Sequence, residues 1–170
     1  MTPKISIVFT SFNHHEFLKE ALDALINQTF KDFELIIIDD NSSDGSQEIL
    51  KKYTHDKRVK LYLLEKNTGS YVYSSNIGAS KAKSDYIIFA QCDDVAEKTQ
   101  LENLYNTMLQ NPEVGVVFSS SRMIDKNGAS LGCDFDGREK TFKQQCIHDT
   151  LISRLQMTKY FLRSCVIPNL

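Results

Sequence analysis

The chain has 170 residues, 41% of them hydrophobic and 25% charged, which is the balance of a soluble globular domain and excludes a disordered or fibrous chain. A formal net charge of −2 gives no electrostatic case for nucleic acid or an acidic membrane surface. No apolar run reaches the roughly 18 residues that span a bilayer. Met1-Thr2-Pro3-Lys4 lacks the shape of a signal peptide. The cysteines Cys92, Cys133, Cys146 and Cys165 show no CxxC pairing, so neither a zinc site nor a disulfide framework is expected. Reduced thiols in the cytoplasm are the plain reading.

Lys4 to Thr10 is a short, mostly apolar β-rich run, and it stops at the turn and cap formers Ser11-Phe12-Asn13. From His15 to Thr29 the apolar residues Phe17, Leu18, Ala21, Leu22, Leu25 and Ile26 recur at helical spacing. Asn13 with Glu16 three residues later fits a capping box at that helix's start. Phe33 to Ile38 contains four consecutive aliphatics and suits a strand buried on both faces. Asp39-Asp40-Asn41-Ser42-Ser43-Asp44-Gly45 follows as a turn cluster, then a helix from Ser46 to Tyr53. Strands are expected at Val59–Leu64, Tyr86–Ala90 and Val114–Ser119, and helices at Tyr73–Ala82 and Glu97–Leu109. Beyond these, Asp125-Lys126-Asn127-Gly128 fits a hairpin turn. Gly132–Lys143 reads as an irregular loop, Cys146–Leu162 as helical, and Cys165-Val166-Ile167 as the start of a strand.

Strand and helix alternating at this spacing imply right-handed βαβ units and a mostly parallel sheet. Ligands bind such sheets outside the carboxyl ends of the strands. Three of those ends carry Thr10-Ser11-Phe12-Asn13, Asp39-Asp40 and Asp93-Asp94. Adjacent carboxylates at a buried strand end repel one another, and a divalent cation with a preference for oxygen ligands relieves that repulsion. Alternatively, Asp93 or Asp94 caps the following helix, and Asp39-Asp40 belongs to a turn. A lone carboxylate oxygen matches the ring N–H of uracil, while Thr10 and Phe12 offer a hydroxyl and a stacking face, or simply pack the strand end. His14-His15 reads as solvated surface. Asn67-Thr68-Gly69 and Asn76-Ile77-Gly78 could wrap a ligand, but match neither GxxxxGK[ST] nor GxGxxG.

In this order and spacing, the segments over residues 3–120 resemble the family 2 glycosyltransferases, and especially the spore-coat polysaccharide type. The stretches that carry the likeness are Ile5–Asn13, Leu25–Phe30, Phe33–Gly45, Asn67-Thr68-Gly69, Asn76-Ile77-Gly78 and Asp85–Phe89 running into Asp93-Asp94. The resemblance implies the GT-A fold, a Rossmann-like three-layer α/β/α sandwich on a mostly parallel sheet. It implies residues 1–120 as the nucleotide-sugar-binding core and 121–170 as the start of a truncated acceptor-side half.

The same resemblance implies transfer of a sugar from a nucleotide-diphosphate donor, UDP-sugar favoured, to a saccharide or lipid-linked acceptor, with inversion, in the synthesis of cell-surface polysaccharide or glycoconjugate. Thr10, Phe12, Asn13, Asp40 and Asn67 would hold the nucleotide, with Asp40 at a ring N–H; Asp93 would approach the ribose, and Asp94 would bind Mg²⁺ or Mn²⁺. Location would be cytoplasmic, with the inner face of the membrane as the variant. Gln91 stands where many members carry an Asp, and Ser75 where many carry an Arg. No catalytic base is assigned; Asp134, Asp136 and Asp149 are carboxylates without a local pattern for the role. A nucleotide-sugar-binding module without turnover is the alternative. A nucleotidyltransferase would want a glycine-rich basic signature near the N-terminus, which Thr10-Ser11-Phe12-Asn13 is not.

Overall fold

The two longest apolar runs become the two central strands. In the computed structural model, which describes residues 2–117, 119, 121–125 and 128–133, they are β1 (Ile5–Ser11) and β2 (Phe33–Asp39). Every residue of β2 is buried, and every residue of β1 except half-buried Thr10. Shorter and more exposed strands flank them, β3 (Val59–Leu63) beside β2 and β4 (Ile87–Gln91) beside β1. The order is β3-β2-β1-β4 and every pairing is parallel.

The helices between these strands are α1 (His15–Ile26), α2 (Ser46–Lys52) and α3 (Tyr71–Ala79). The chain steps outward from β1 to β3, then returns past β2 and β1 to β4. Right-handed crossovers therefore place α1 and α2 on one face of the sheet and α3 on the other. On α1, Leu18, Ala21, Leu22 and Leu25 are buried as the spacing predicts, while Phe17 remains 45% exposed. Helix α3 is built differently: it buries Ser74, Ser75 and Gly78, small residues that let its backbone approach β1 and β2. A Cβ on Gly78 would sit 2.4 Å from Val8 Cγ1 and 3.3 Å from Ile38 Cγ1. Strand order reverses between β1 and β4, which opens a crevice at their carboxyl ends.

The amino edge of the sheet is closed by a buried acid. Glu34 accepts the Ser6 hydroxyl at 2.7 Å and the Lys83 amide at 2.8 Å, and Ser6 Oγ also accepts the Ser84 amide at 3.1 Å. This joins β1, β2 and the α3–β4 connection. Nearby, Arg58 grips Asp56 at 2.7 Å, donates to the Ile26 carbonyl at 3.2 Å, and lies 4.3 Å over the Phe33 ring.

Two expectations are corrected. Asn13 does not cap α1. His14 occupies that position without a side-chain capping bond, and the His15 amide is capped from a distance by Asp44 Oδ2 at 3.0 Å. A tertiary contact replaces the local box because Asn13 adopts φ +52° and is drawn into another loop. The strand expected at Val114–Ser119 is absent over its described residues, 114–117 and 119; β-rich composition makes no strand without a neighbouring ladder to satisfy its amides.

Residues 2–102 form one compact unit, and the described residues from Asn103 onward belong to a second. Helix α4 (Gln100–Gln110) starts in the first and continues into the second. The second also contains an antiparallel pair, β5 (Arg122–Ile124) and β6 (Ser130–Cys133), linked at the predicted turn, where Gly128 has φ +80° and donates to the Asp125 carbonyl at 2.9 Å. Beyond Cys133, the expected loop, the helix at 146–162, the strand from Cys165, and Asp134, Asp136 and Asp149 lie outside the described residues. No helix among the described residues is long and apolar enough to cross a membrane.

Gly78→Ala will lower stability by about 1–3 kcal/mol, the usual cost of overpacking a filled site, as a reduced midpoint in urea. Asp44→Ala removes the α1 cap and the 3.0 Å bond to the Ser46 amide, and will cost about 1–2 kcal/mol in the same titration.

Candidate functional site

Strand pleat separates the first acidic pair. Neighbouring residues on a strand point to opposite faces, so Asp39 turns towards α2 and Asp40 towards the loop before α3. Asp39 is fully buried and accepts the Ser42 amide at 2.9 Å, the Ser42 hydroxyl at 2.6 Å and Gln47 Nε2 at 2.9 Å. It organises the turn after β2. Asp40, 5% exposed, accepts the Thr68 amide at 2.9 Å and the Thr68 hydroxyl at 2.8 Å. Asn67 completes this latch: its Nδ2 donates to the Asp40 carbonyl at 3.1 Å, and its Oδ1 accepts the Gly69 amide at 2.6 Å. Gly69 has φ +71°, a conformation that favours glycine.

The loop after β1 is tied to the loop after β2. The Asn13 amide donates to Ser42 Oγ and its side-chain oxygen accepts the Ser43 amide, both at 2.9 Å. One residue back, Phe12 is 42% exposed, and its carbonyl accepts a hydrogen bond of 2.7 Å from His14 Nδ1. A carbonyl only accepts, so this nitrogen carries the proton. Thr10 lies in register with Gln91, the last residue of β4.

Immediately after β4, Cys92 is buried and hydrogen-bonds the Phe12 backbone; burial, aided by the charges of Asp93 and Asp94, pushes its thiol up to about 11. The ends of β1 and β4 therefore meet at Cys92. Asp93 and Asp94 follow, on the exposed side. Asp94 is nevertheless crowded enough that desolvation, and next the charge of Asp93, hold its carboxyl above the usual carboxylate range. Thr10, Phe12, Asn13, Asp40, Asn67, Asp93 and Asp94 all lie along the carboxyl edge of one parallel sheet.

Beside the Asp40 latch opens a groove of about 610 Å³, lined by Lys66, Asn67, Thr68, Ser70, Tyr73 and Asn76 among others. Amides, hydroxyls and one ammonium dominate its polar lining, which suits carbonyl and phosphate oxygens. Among the described residues no group of three or more His, Cys, Asp or Glu could cage a metal. The Asp93–Asp94 pair could offer one or two hard oxygen ligands, a donor type that suits Mg²⁺ or Mn²⁺.

Thr68, Ser42 and His14 hold predicted residues in place without being predicted site residues themselves; Thr68 stood only within the loop that could wrap a ligand, and Ser42 only within the turn cluster. Only the generic Asn/Ser/Thr turn signal marks the first two, and His14 read as surface.

Comparison with known proteins places this geometry. The sequence profile described as Glycosyl transferase family 2 matches residues 6–157. A glycosyltransferase of Haemophilus influenzae is 36% identical over 138 residues, covering 81% of this chain and 51% of its own length. The poly(ribitol-phosphate) β-N-acetylglucosaminyltransferase TarP of Staphylococcus aureus is 30% identical over 170 residues, 98% of this chain and 51% of its own. The solved structure of S. aureus TarS 1–349 with UDP-GlcNAc superposes with a TM-score of 0.61 at 26% identity, over 64% of this chain and 32% of that one. This chain spans about half the length of the curated relatives it matches. With a profile matched over most of its length and the GT-A arrangement of sheet and helices, the chain belongs to glycosyl transferase family 2.

Proposed function

We propose that this chain binds a nucleotide-sugar donor, UDP-linked by preference, and serves transfer of the sugar, with inversion, to a saccharide or lipid-linked acceptor in cell-surface polysaccharide or glycoconjugate synthesis. The observation that carries the reading is the Asp93–Asp94 pair at the switch point between β1 and β4, beside exposed Phe12. A UDP-GlcNAc complex of a relative and the cell-wall substrate in the name of TarP support the donor and the setting.

Residue by residue, Phe12 offers its exposed face to the base, and Thr10 a hydroxyl at the same strand end. Asp40 meets the ring N–H. A carboxylate has about four lone-pair sites, and Thr68 uses two of them. Asn13 and Asn67 hold the two loops that border the base, and Asp93 approaches the ribose. Asp94 would hold a Mg²⁺ or Mn²⁺, and such an ion would supply Lewis-acid stabilisation of the departing nucleotide. Deprotonation of the acceptor hydroxyl calls for a general base, to which no residue is assigned.

Calorimetric titration of UDP with and without Mn²⁺ tests the metal ligand. The metal is expected to tighten binding, and Asp94→Asn to remove about tenfold or more of that gain. Equal affinity with and without metal would remove Asp94 from the role. Asp40→Asn is expected to weaken metal-free uridine binding about tenfold, about 1.4 kcal/mol. Circular dichroism checks that the variant folds, and unchanged uridine affinity in a folded variant would take Asp40 out of the site.

A further inference from the structure

Helix α1 ends beneath the segment that leaves the acidic pair, and one side chain joins the two. Gln28 has no exposed surface. Its Nε2 donates to the Ala24 carbonyl at 3.0 Å and to the Glu97 carbonyl at 2.8 Å, and its Oε1 accepts the Leu101 amide at 3.0 Å. Next to it, the Thr29 amide donates to the Lys98 carbonyl at 2.9 Å and the Thr29 hydroxyl to Glu102 at 2.9 Å. Both polar ends of a buried amide are thus used: one partner, the Glu97 carbonyl, lies on the connection between β4 and α4, and another, the Leu101 amide, in the first turn of α4.

That connection carries Asp93 and Asp94. Its near end is fixed by β4 and by the bond between Cys92 and the Phe12 backbone. Its far end has no sheet to hold it, and Gln28 and Thr29 take that part. Glu97 stands three positions after Asp94, a step that spans at most about 10 Å, so slack at Glu97 reaches the carboxylates directly. We infer that Gln28 is a positioning residue for the donor site: its clamp on Glu97 and Leu101 holds the 93–99 segment so that Asp93 and Asp94 stay fixed at the crevice between β1 and β4. The inference rests on the donor-site reading above.

The test is Gln28→Met, which keeps the volume and removes all three bonds. In hydrogen exchange on the folded chain, amides of 93–101 are expected to exchange at least tenfold faster, with those of β1 and β2 unchanged. The Mn²⁺-dependent gain in UDP affinity is expected to fall at least tenfold, with metal-free uridine affinity held within twofold. Gln28→Glu keeps an acceptor for the Leu101 amide and should restore part of both readouts; it also carries the test if the Met variant fails to fold. Exchange that rises evenly through the sheet, or an unchanged metal-dependent gain in a folded variant, would overturn the positioning role. A parent chain with no Mn²⁺-dependent gain removes Asp94's metal role, and this inference with it. That result appears before any Gln28 variant is made, so the two failures stay distinct.

Discussion

Burial of β1 and β2 on both faces is the constraint on which the rest depends. A strand covered on one side only could leave its polar residues to solvent at any position. Here each residue from Ile5 to Ile38's neighbour Asp39 on these strands faces a layer of helices, so polar groups collect where the strands end. Pleat then assigns adjacent residues to different neighbours, and a pair written side by side in the sequence becomes two separate devices. Asp39 builds a turn and Asp40 holds a loop. The carboxyl edge is assembled from loops that satisfy one another across 27 to 30 residues of sequence, as in the bonds of Asn13 to Ser42 and Ser43 and of Asp40 to Asn67 and Thr68.

This arrangement answers a problem of unpaired amides. Parallel strands end abruptly, and their connecting loops hold backbone groups that no ladder reaches. Asn, Ser and Thr side chains are short enough to reach those groups, and the loops here are rich in them. The left-handed turns at Asn13 and Asn41 belong to the same solution, because Asn tolerates that region better than most residues. The result is an edge made stiff by hydrogen bonds, with Phe12 and the two aspartates after β4 left exposed upon it.

Much of the fold was legible in the sequence, because period and composition report burial. Four aliphatics in a row in β2 announced a strand covered on both faces, and the i, i+3, i+4 pattern of α1 named its buried side apart from Phe17. Errors fell where tertiary contacts outrank local ones. The capping box at Asn13 was locally plausible, yet Asp44 competes from 29 residues away and Asn13 has a better partner in Ser43. Val114–Ser119 had strand composition, but composition cannot report whether a partner strand stands beside it. Of the site, the acidic pairs stood out because carboxylates at strand ends are costly and therefore informative. Thr68 and Gln28 lie within stretches that carry the family likeness, but nothing local marks what each one holds, since a threonine in a loop or a glutamine at a helix end acquires its partners only in the fold.

At the opposite edge of the sheet, Glu34 is a buried carboxyl group held by a hydroxyl and a backbone amide, with no ion pair to it among the described residues. Dipoles fixed within a fold are not displaced by mobile ions, whereas an exposed pair such as Lys19 and Asp23 is screened over a Debye length of about 8 Å at physiological ionic strength. The joint that closes the sheet is therefore indifferent to salt. In brine the surface pairs of this protein fade, and the amino edge keeps its geometry.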